Sequence, residues 1–177
     1  SLLQKAQRIF VAGEGDLSFL AEAFVGRLVG LGYAAHPVPA ELAGQAAMST
    51  TLAAKDVVLC IGMTVMTPGI AVILKVARDV GAKTIAIAGS ATNAIASIAQ
   101  HVLYAPVETI GILPSWTAAA ATLHALSQAL VLGDSDRGAV WAAHTDRFLR
   151  IYSDTLRDQL SDVQTTLKQL SPRNRNR

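Results

Sequence analysis

Cysteine occurs once in this chain, at position 60. No internal disulfide can form, and Cys60 sits inside an apolar run, so it reads as a packing residue of a protein of the reducing cytoplasm. Charge is also scarce: Asp, Glu, Lys and Arg make up 16% of the 177 residues, and aromatics only 5%. An unbroken apolar span is missing too. Segments 57–74, 84–107 and 109–132 hold no Asp, Glu, Lys or Arg, but each is interrupted. Gly62, Thr64, Thr67 and Pro68 break the first, Gly89, Ser90, Asn93 and Gln100 the second, and Pro114, Ser115, His124 and Gln128 the third. A membrane helix needs about 20 mostly apolar residues in one run, so no membrane segment is expected. The start, Ser-Leu-Leu-Gln-Lys, has no apolar core of the kind a signal peptide needs. Net charge is only +2, and Lys168, Arg173, Arg175 and Arg177 crowd into the end of the chain. Residues 171–177 therefore read as a disordered basic tail, with no basic stripe elsewhere to contact DNA directly. No metal-ligand spacing and no G-x-S-x-G elbow occur, and no acidic residue closes the second strand to mark a dinucleotide ribose. Neither a metal nor a cofactor is expected.

Apolar residues are plentiful, at 51% of the chain. A mean hydropathy of +0.38 calls for a sheet covered on both faces and an oligomer interface besides. Short apolar runs alternate with helical patterns. Strands are expected at 8–12, 33–38, 56–61, 83–88 and 101–105. Helices are expected at 2–7, 18–31, 40–53, 68–80, 93–100 and 115–132, separated by glycines and prolines. Pro37 inside the second strand argues for a sheet edge, where its missing N–H is tolerated. This alternation implies a parallel sheet in a three-layer α-β-α sandwich of the α/β class. Five strands suit the order 2-1-3-4-5, which reverses direction between strands one and three. After the turn at 133–136 a last helix is expected over 137–169. Trp141, Thr145, Phe148, Tyr152, Leu156, Leu160 and Val163 recur three or four apart along it, as a seam that needs a partner surface. The chain thus divides into a domain at 1–132 and a helical, dimerising extension at 133–170.

A ligand in such a sheet binds beyond the carboxyl ends of the strands, at the switch point. Two loops meet there, 13–18 and 62–67. Gly13 and Gly15 permit a tight turn with exposed backbone N–H groups. Ser18 is either a helix cap or a ligand hydroxyl. Thr64 carries a hydroxyl in the second loop. Thr67 can cap the helix that Pro68 begins, and a helix start with hydroxyls beside it can hold an anion. Asn93 is another cap or contact. An aldose–ketose isomerase would need a base to move a proton between adjacent carbons and a group to open the ring. The weak candidates are Glu108, His124, His101 and Glu14.

Four segments together resemble a sugar isomerase (SIS) domain. They are Ile9-Phe-Val-Ala-Gly-Glu-Gly-Asp16, Asp56-Val-Val-Leu-Cys-Ile61, Gly81-Ala-Lys-Thr-Ile-Ala-Ile87 and Asn93-Ala-Ile-Ala96. The resemblance covers residues 5–132 and is nearest to the effector domain of RpiR-type transcriptional regulators, in which a helix-turn-helix precedes the SIS domain. It implies a sugar or sugar-phosphate ligand, a homodimer or tetramer, and DNA contact only through an upstream domain outside these residues. At the positions that match its motifs it implies binding by Gly13, Gly15, Thr64 and Thr67, with Ser18 and Asn93 added as the nearby cap-or-contact candidates. The family's phosphate loop has the form S-x-S-G-x-T, whereas this chain reads Gly62-Met-Thr-Val-Met-Thr67. In the first loop Leu17 stands at the family's serine. About half of the phosphate hydroxyls are gone, which points to a ligand less anionic than a phosphosugar or to a pocket that has closed. The competing readings are a free-standing sugar-phosphate isomerase and an SIS-like oligomeriser that binds nothing.

Overall fold

The computed structural model describes residues 1–63, 68–108 and 114–170, with side chains up to 166. Thr64, Thr67 and the basic tail lie outside the described residues. The chain divides into two compact units, Ser1–Arg137 and Gly138–Arg177.

The first unit opens with a short helix, α1 (Leu2–Lys5), capped by Ser1. Five strands follow, β1 (Ile9–Gly13), β2 (Ala35–Pro37), β3 (Val57–Gly62), β4 (Lys83–Ala88) and β5 (His101–Tyr104). Between and after them run α2 (Ser18–Gly30), α3 (Leu42–Ser49), α4 (Pro68–Asp79), α5 (Ala94–Ile98) and α6 (Thr117–Leu132). The strands form one sheet in the order β2-β1-β3-β4-β5, and every pairing is parallel. The expected topology is therefore the observed one.

Side chains along a strand point alternately to the two faces, and the core follows that rule. Ile9, Val11, Val57, Leu59, Ile61, Ile85 and Ile87 face one side, against Leu20, Phe24 and Leu28 of α2 and Leu123 and Leu130 of α6. Phe10, Ala12, Val58, Cys60, Ala86 and Ala88 face the other, against Ile70, Ile73, Leu74 and Ala77 of α4 and Ile95 of α5. The second face is lined by smaller residues on β4, which lets α4 and α5 lie close to the sheet.

The boundaries differ from expectation where local signals mislead. β2 has three residues rather than six, because an edge strand containing Pro37 has few N–H groups to pair. Ser18 does not cap α2. A 3₁₀ turn over Gly15–Leu17 leads directly into the helix, so Leu17 takes the cap position without a side-chain bond. Asn93 does cap α5, with its side chain accepting from the Ile95 N–H.

At the amino ends of the strands, Asp56 is completely buried. Arg8 Nε and Nη2 donate to its two oxygens at 3.1 and 2.6 Å, and the Ala53 N–H donates at 2.9 Å. This clamp joins the first residues before β1 and β3. Near the end of the unit, Arg137 lies over the Tyr33 ring at 4.5 Å and donates to the Leu31 and Gly32 carbonyls.

The last helix, α7 (Ser135–Leu170), starts behind Asp134, whose Oδ1 accepts from the Arg137 N–H. Within the second unit its apolar side chains stay exposed, among them Trp141, Phe148, Tyr152, Leu156, Leu160 and Val163. Phe148 and Tyr152 stack one turn apart. Arg150 and Asp146 form an ion pair on the helix surface, as do Arg157 and Asp154. Among the described residues, no helix is long and apolar enough to cross a membrane.

Candidate functional site

The carboxyl ends of β1 and β2 splay around a cavity of about 500 Å³. Gly13, Glu14 and Gly15 form one wall, and Ser18, Ala21 and Glu22 of α2 continue it. The exit from β2, Pro37 to Glu41, forms the opposite wall with Gln45 of α3. Gly69 and Ile70, in the first turn of α4, close one end.

Backbone constraints shape the first wall. A Cβ on Gly13 would lie 2.2 Å from the Leu17 carbonyl oxygen, so only glycine fits there. Gly15 has a φ of +57°, in the left-handed region that costs glycine little. The two glycines thus fold the chain tightly enough to set Glu14 at the mouth of the sheet. Glu14 reaches the start of α4, where its carboxylate accepts from the Gly69 N–H. Burial raises its pKa above the ordinary value, and the Gly69 bond offsets only part of that rise. Its second oxygen, Oε2, is buried and has no hydrogen-bond partner among the described residues. The influence of Glu14 extends into the sheet. Burial pushes the Cys60 thiol far up, and the Glu14 charge adds to the effect.

Asn93 works from the other side. Its Nδ2 donates to the Gly62 carbonyl at 2.8 Å, while its Oδ1 caps α5. The Gly89 N–H also donates to the Gly62 carbonyl. A Cβ on Gly89 would lie 2.4 Å from the Met63 oxygen, which shows how closely the two loops approach. The end of β3 is thus pinned just before the segment that holds Thr64 and Thr67.

Of the expected site residues, the structure brings Gly13, Gly15 and Ser18 together on the cavity wall. Asn93 stands behind the β3 loop, 1% exposed. Glu108 and His124 lie elsewhere. Glu108 is exposed after β5. His124 lies on α6, where Arg27 Nη1 and its Nδ1 are 3.0 Å apart and Gln128 approaches its other ring nitrogen. His101 begins β5, away from the carboxyl ends of the strands. Glu22, Glu41 and Gln45 line the cavity without having been singled out by motif. Their signal was faint: Glu22 lies one turn into the helix after Ser18, and Glu41 and Gln45 lie one turn apart at a helix start. Three acidic residues thus line the cavity, and no Lys, Arg or His joins them among the described lining residues. Such a lining accepts hydrogen bonds from hydroxyl or ammonium groups. Among the described residues, no group of three or more His, Cys, Asp or Glu side chains is placed to hold a metal.

The SIS domain family model matches residues 2–132. The chain belongs to the SIS domain family. An uncharacterised protein of Archaeoglobus fulgidus is 31% identical over 102 residues, 58% of this chain. The match spans about half the length of that relative, 52%. The SIS fold is shared with the sugar isomerase domain of an RpiR transcription factor from Sphaerobacter thermophilus, at a TM-score of 0.77, 20% identity and 82% coverage of both chains. The Vibrio vulnificus NanR protein complexed with ManNAc-6P superposes at a TM-score of 0.72 and 16% identity, over 85% of this chain and 58% of that one. A hypothetical protein of Methanococcus jannaschii, from whose structure a 3-hexulose-6-phosphate isomerase function is inferred, superposes at 0.58 and 20% identity, over 83% and 73%. Regulator domains and sugar-phosphate isomerases therefore both lie among the structural neighbours of this SIS domain.

Proposed function

We propose that this chain is the ligand-sensing and self-associating part of an RpiR-type transcriptional regulator, with a sugar derivative bound in the crevice at the ends of β1 and β2. The observation that carries this reading is the placement of the catalytic candidates. Glu108 and His124 stand outside the described lining of the crevice, so the acid–base pair an isomerase would draw from them does not meet there. Gly13, Gly15, Ser18, Thr64, Thr67 and Asn93 are the residues proposed to hold or position the ligand. The exposed apolar stripe of α7 supports self-association as a dimer or tetramer, because such a seam in water is stabilised by a partner. DNA contact would come from a helix-turn-helix outside these residues.

The test pairs binding with turnover. A thermal-shift panel of sugars, amino sugars and sugar phosphates should yield a ligand, which at a hundred times its Kd stabilises by about 2.7 kcal/mol. Proton NMR in deuterated water should then show no exchange at the carbons beside the ligand's carbonyl. Exchange catalysed at substrate turnover rates would sink the sensor in favour of an isomerase. One observation favours that second reading: Glu14, a carboxylate with a raised pKa, sits in the crevice, as a general base would. Loss of exchange in Glu14→Gln would then identify the base.

A further inference from the structure

The crevice contains an anion of its own. α4 has 12 residues, and Gly69 and Ile70 of its first turn line the cavity, which places the positive end of the helix dipole there. A phosphate entering the crevice would dock on the N–H groups of that turn. The Glu14 carboxylate already accepts from one of them, Gly69. Oε2 of Glu14 is buried without a donor among the described residues, so its charge is compensated there on one side only. Glu22 on the same wall and Glu41 on the opposite one add two exposed carboxylates to the lining, and no described lining residue is cationic. A second anion at this position would meet uncompensated like charge in a partly desolvated site, where such repulsion is strong.

We propose that Glu14 is a specificity-determining residue, standing in the place a phosphate would take at the start of α4, and that the crevice therefore takes a sugar derivative without a phosphate. Such a ligand is recognised through hydroxyl or ammonium hydrogens donated to the carboxylate wall. Gly13 and Gly15 serve this arrangement by folding the loop so that Glu14 crosses to α4, and the missing hydroxyls of the 62–67 segment agree with it. The inference rests on the crevice being a ligand site and names its chemical class.

Isothermal titration of the whole chain with inorganic phosphate, glucose 6-phosphate, glucose and glucosamine tests it, on the wild type, Glu14→Gln, Glu14→Ala and Glu41→Gln. Glu14→Gln keeps an acceptor for Gly69 and guards against a folding defect in Glu14→Ala, and urea midpoints check both. Either Glu14 variant should bind phosphate or glucose 6-phosphate at least about tenfold tighter than the wild type. Glu41→Gln, which removes one charge from the same cavity but not from the start of α4, should change that affinity less than about twofold. Equal phosphate affinity in the wild type and both Glu14 variants overturns the proposal, and so does an equal gain in Glu41→Gln. The parent reading fails separately, when none of the four proteins binds any of the sugars. A wild type that takes glucose 6-phosphate as well as its variants do leaves the ligand site standing and removes only the role of Glu14.

Discussion

Asp56 and Glu14 are carboxylates at opposite ends of one sheet, the first fully buried and the second half-buried, and they are held in opposite ways. Asp56 precedes β3, is fully buried, and has both oxygens paired, with two bonds from Arg8 and one from Ala53. Glu14 follows β1 and, among the described residues, has one N–H partner and leaves a buried oxygen with none. A buried acceptor without a donor costs stability. The amino end of the sheet is therefore finished as structure, whereas the carboxyl end retains a cost that folding alone does not require. Such costs collect at functional sites. The contrast separates a carboxylate that keeps the fold from one that is available to a ligand.

That contrast can be broken from either end. The largest effect is expected for Asp56→Ala, which removes two bonds of the Arg8 guanidinium and leaves the Ala53 N–H without its acceptor. Three hydrogen bonds to a fully buried carboxylate are lost, each worth about 1.5–3 kcal/mol, and solvent at the partly exposed Arg8 screens part of that, for about 3–5 kcal/mol together. For a chain of 177 residues that is a fall in Tm of about 10 °C or more. A fall of only a degree or two would show that water replaces the clamp and that the two ends are less different than they look.

Gly13→Ala should come next, at about 3 kcal/mol, because its Cβ meets backbone rather than a yielding side chain. It should also abolish ligand binding by displacing Glu14. A urea midpoint together with the thermal-shift panel reads both effects, and retained binding would detach the crevice from the first loop.

Asn93→Ala should cost about 1–2 kcal/mol, since it removes the α5 cap and the bond to the Gly62 carbonyl. Its signature is faster amide exchange at Gly89 and after Gly62, without change at the Arg8–Asp56 clamp.

The smallest effect is expected for Glu14→Gln, and its sign is the informative part. The folded pKa of Glu14 is raised above its ordinary 4.5, so the folded chain binds more protons than the unfolded chain between the two values. Stability contributed by the neutral form is lost as pH rises from there through the folded pKa. Glu14→Gln should therefore have a slightly higher Tm than the wild type at pH 7, and the difference should vanish near pH 4. A lower Tm at pH 7 would mean that the ionised carboxylate stabilises the fold, as Asp56 does.

The sheet order was legible because five apolar runs alternate with helical patterns, and Pro37 marked β2 as an edge. Asn93 was legible as either a cap or a contact, and its side chain does cap α5. Ser18 misled, because a 3₁₀ turn over Gly15–Leu17 feeds α2 directly and takes the place of a cap. Cap preferences describe a helix entered from extended chain, and this helix is not entered that way. Glu14 was visible as an acid between two glycines, but its reach to Gly69 was not. Glu22, Glu41 and Gln45 carried almost no signal, because polar residues near helix starts are common on any surface.

Taken alone, the sequence determines the class of fold, the strand order, the two glycines of the first loop and the apolar seam of the last helix. Each of these follows from local periodicity or from a residue that only one backbone geometry accepts. Tertiary structure decides which charged groups share the crevice and which do not. It brings Glu14, Glu22 and Glu41 to one cavity, sets Glu14 against α4, and leaves Glu108 and His124 outside the described lining. The reason is distance in the chain: electrostatics acts through space, and the contacts that set it are made only when β1, β2 and α4 meet at the carboxyl edge of the sheet.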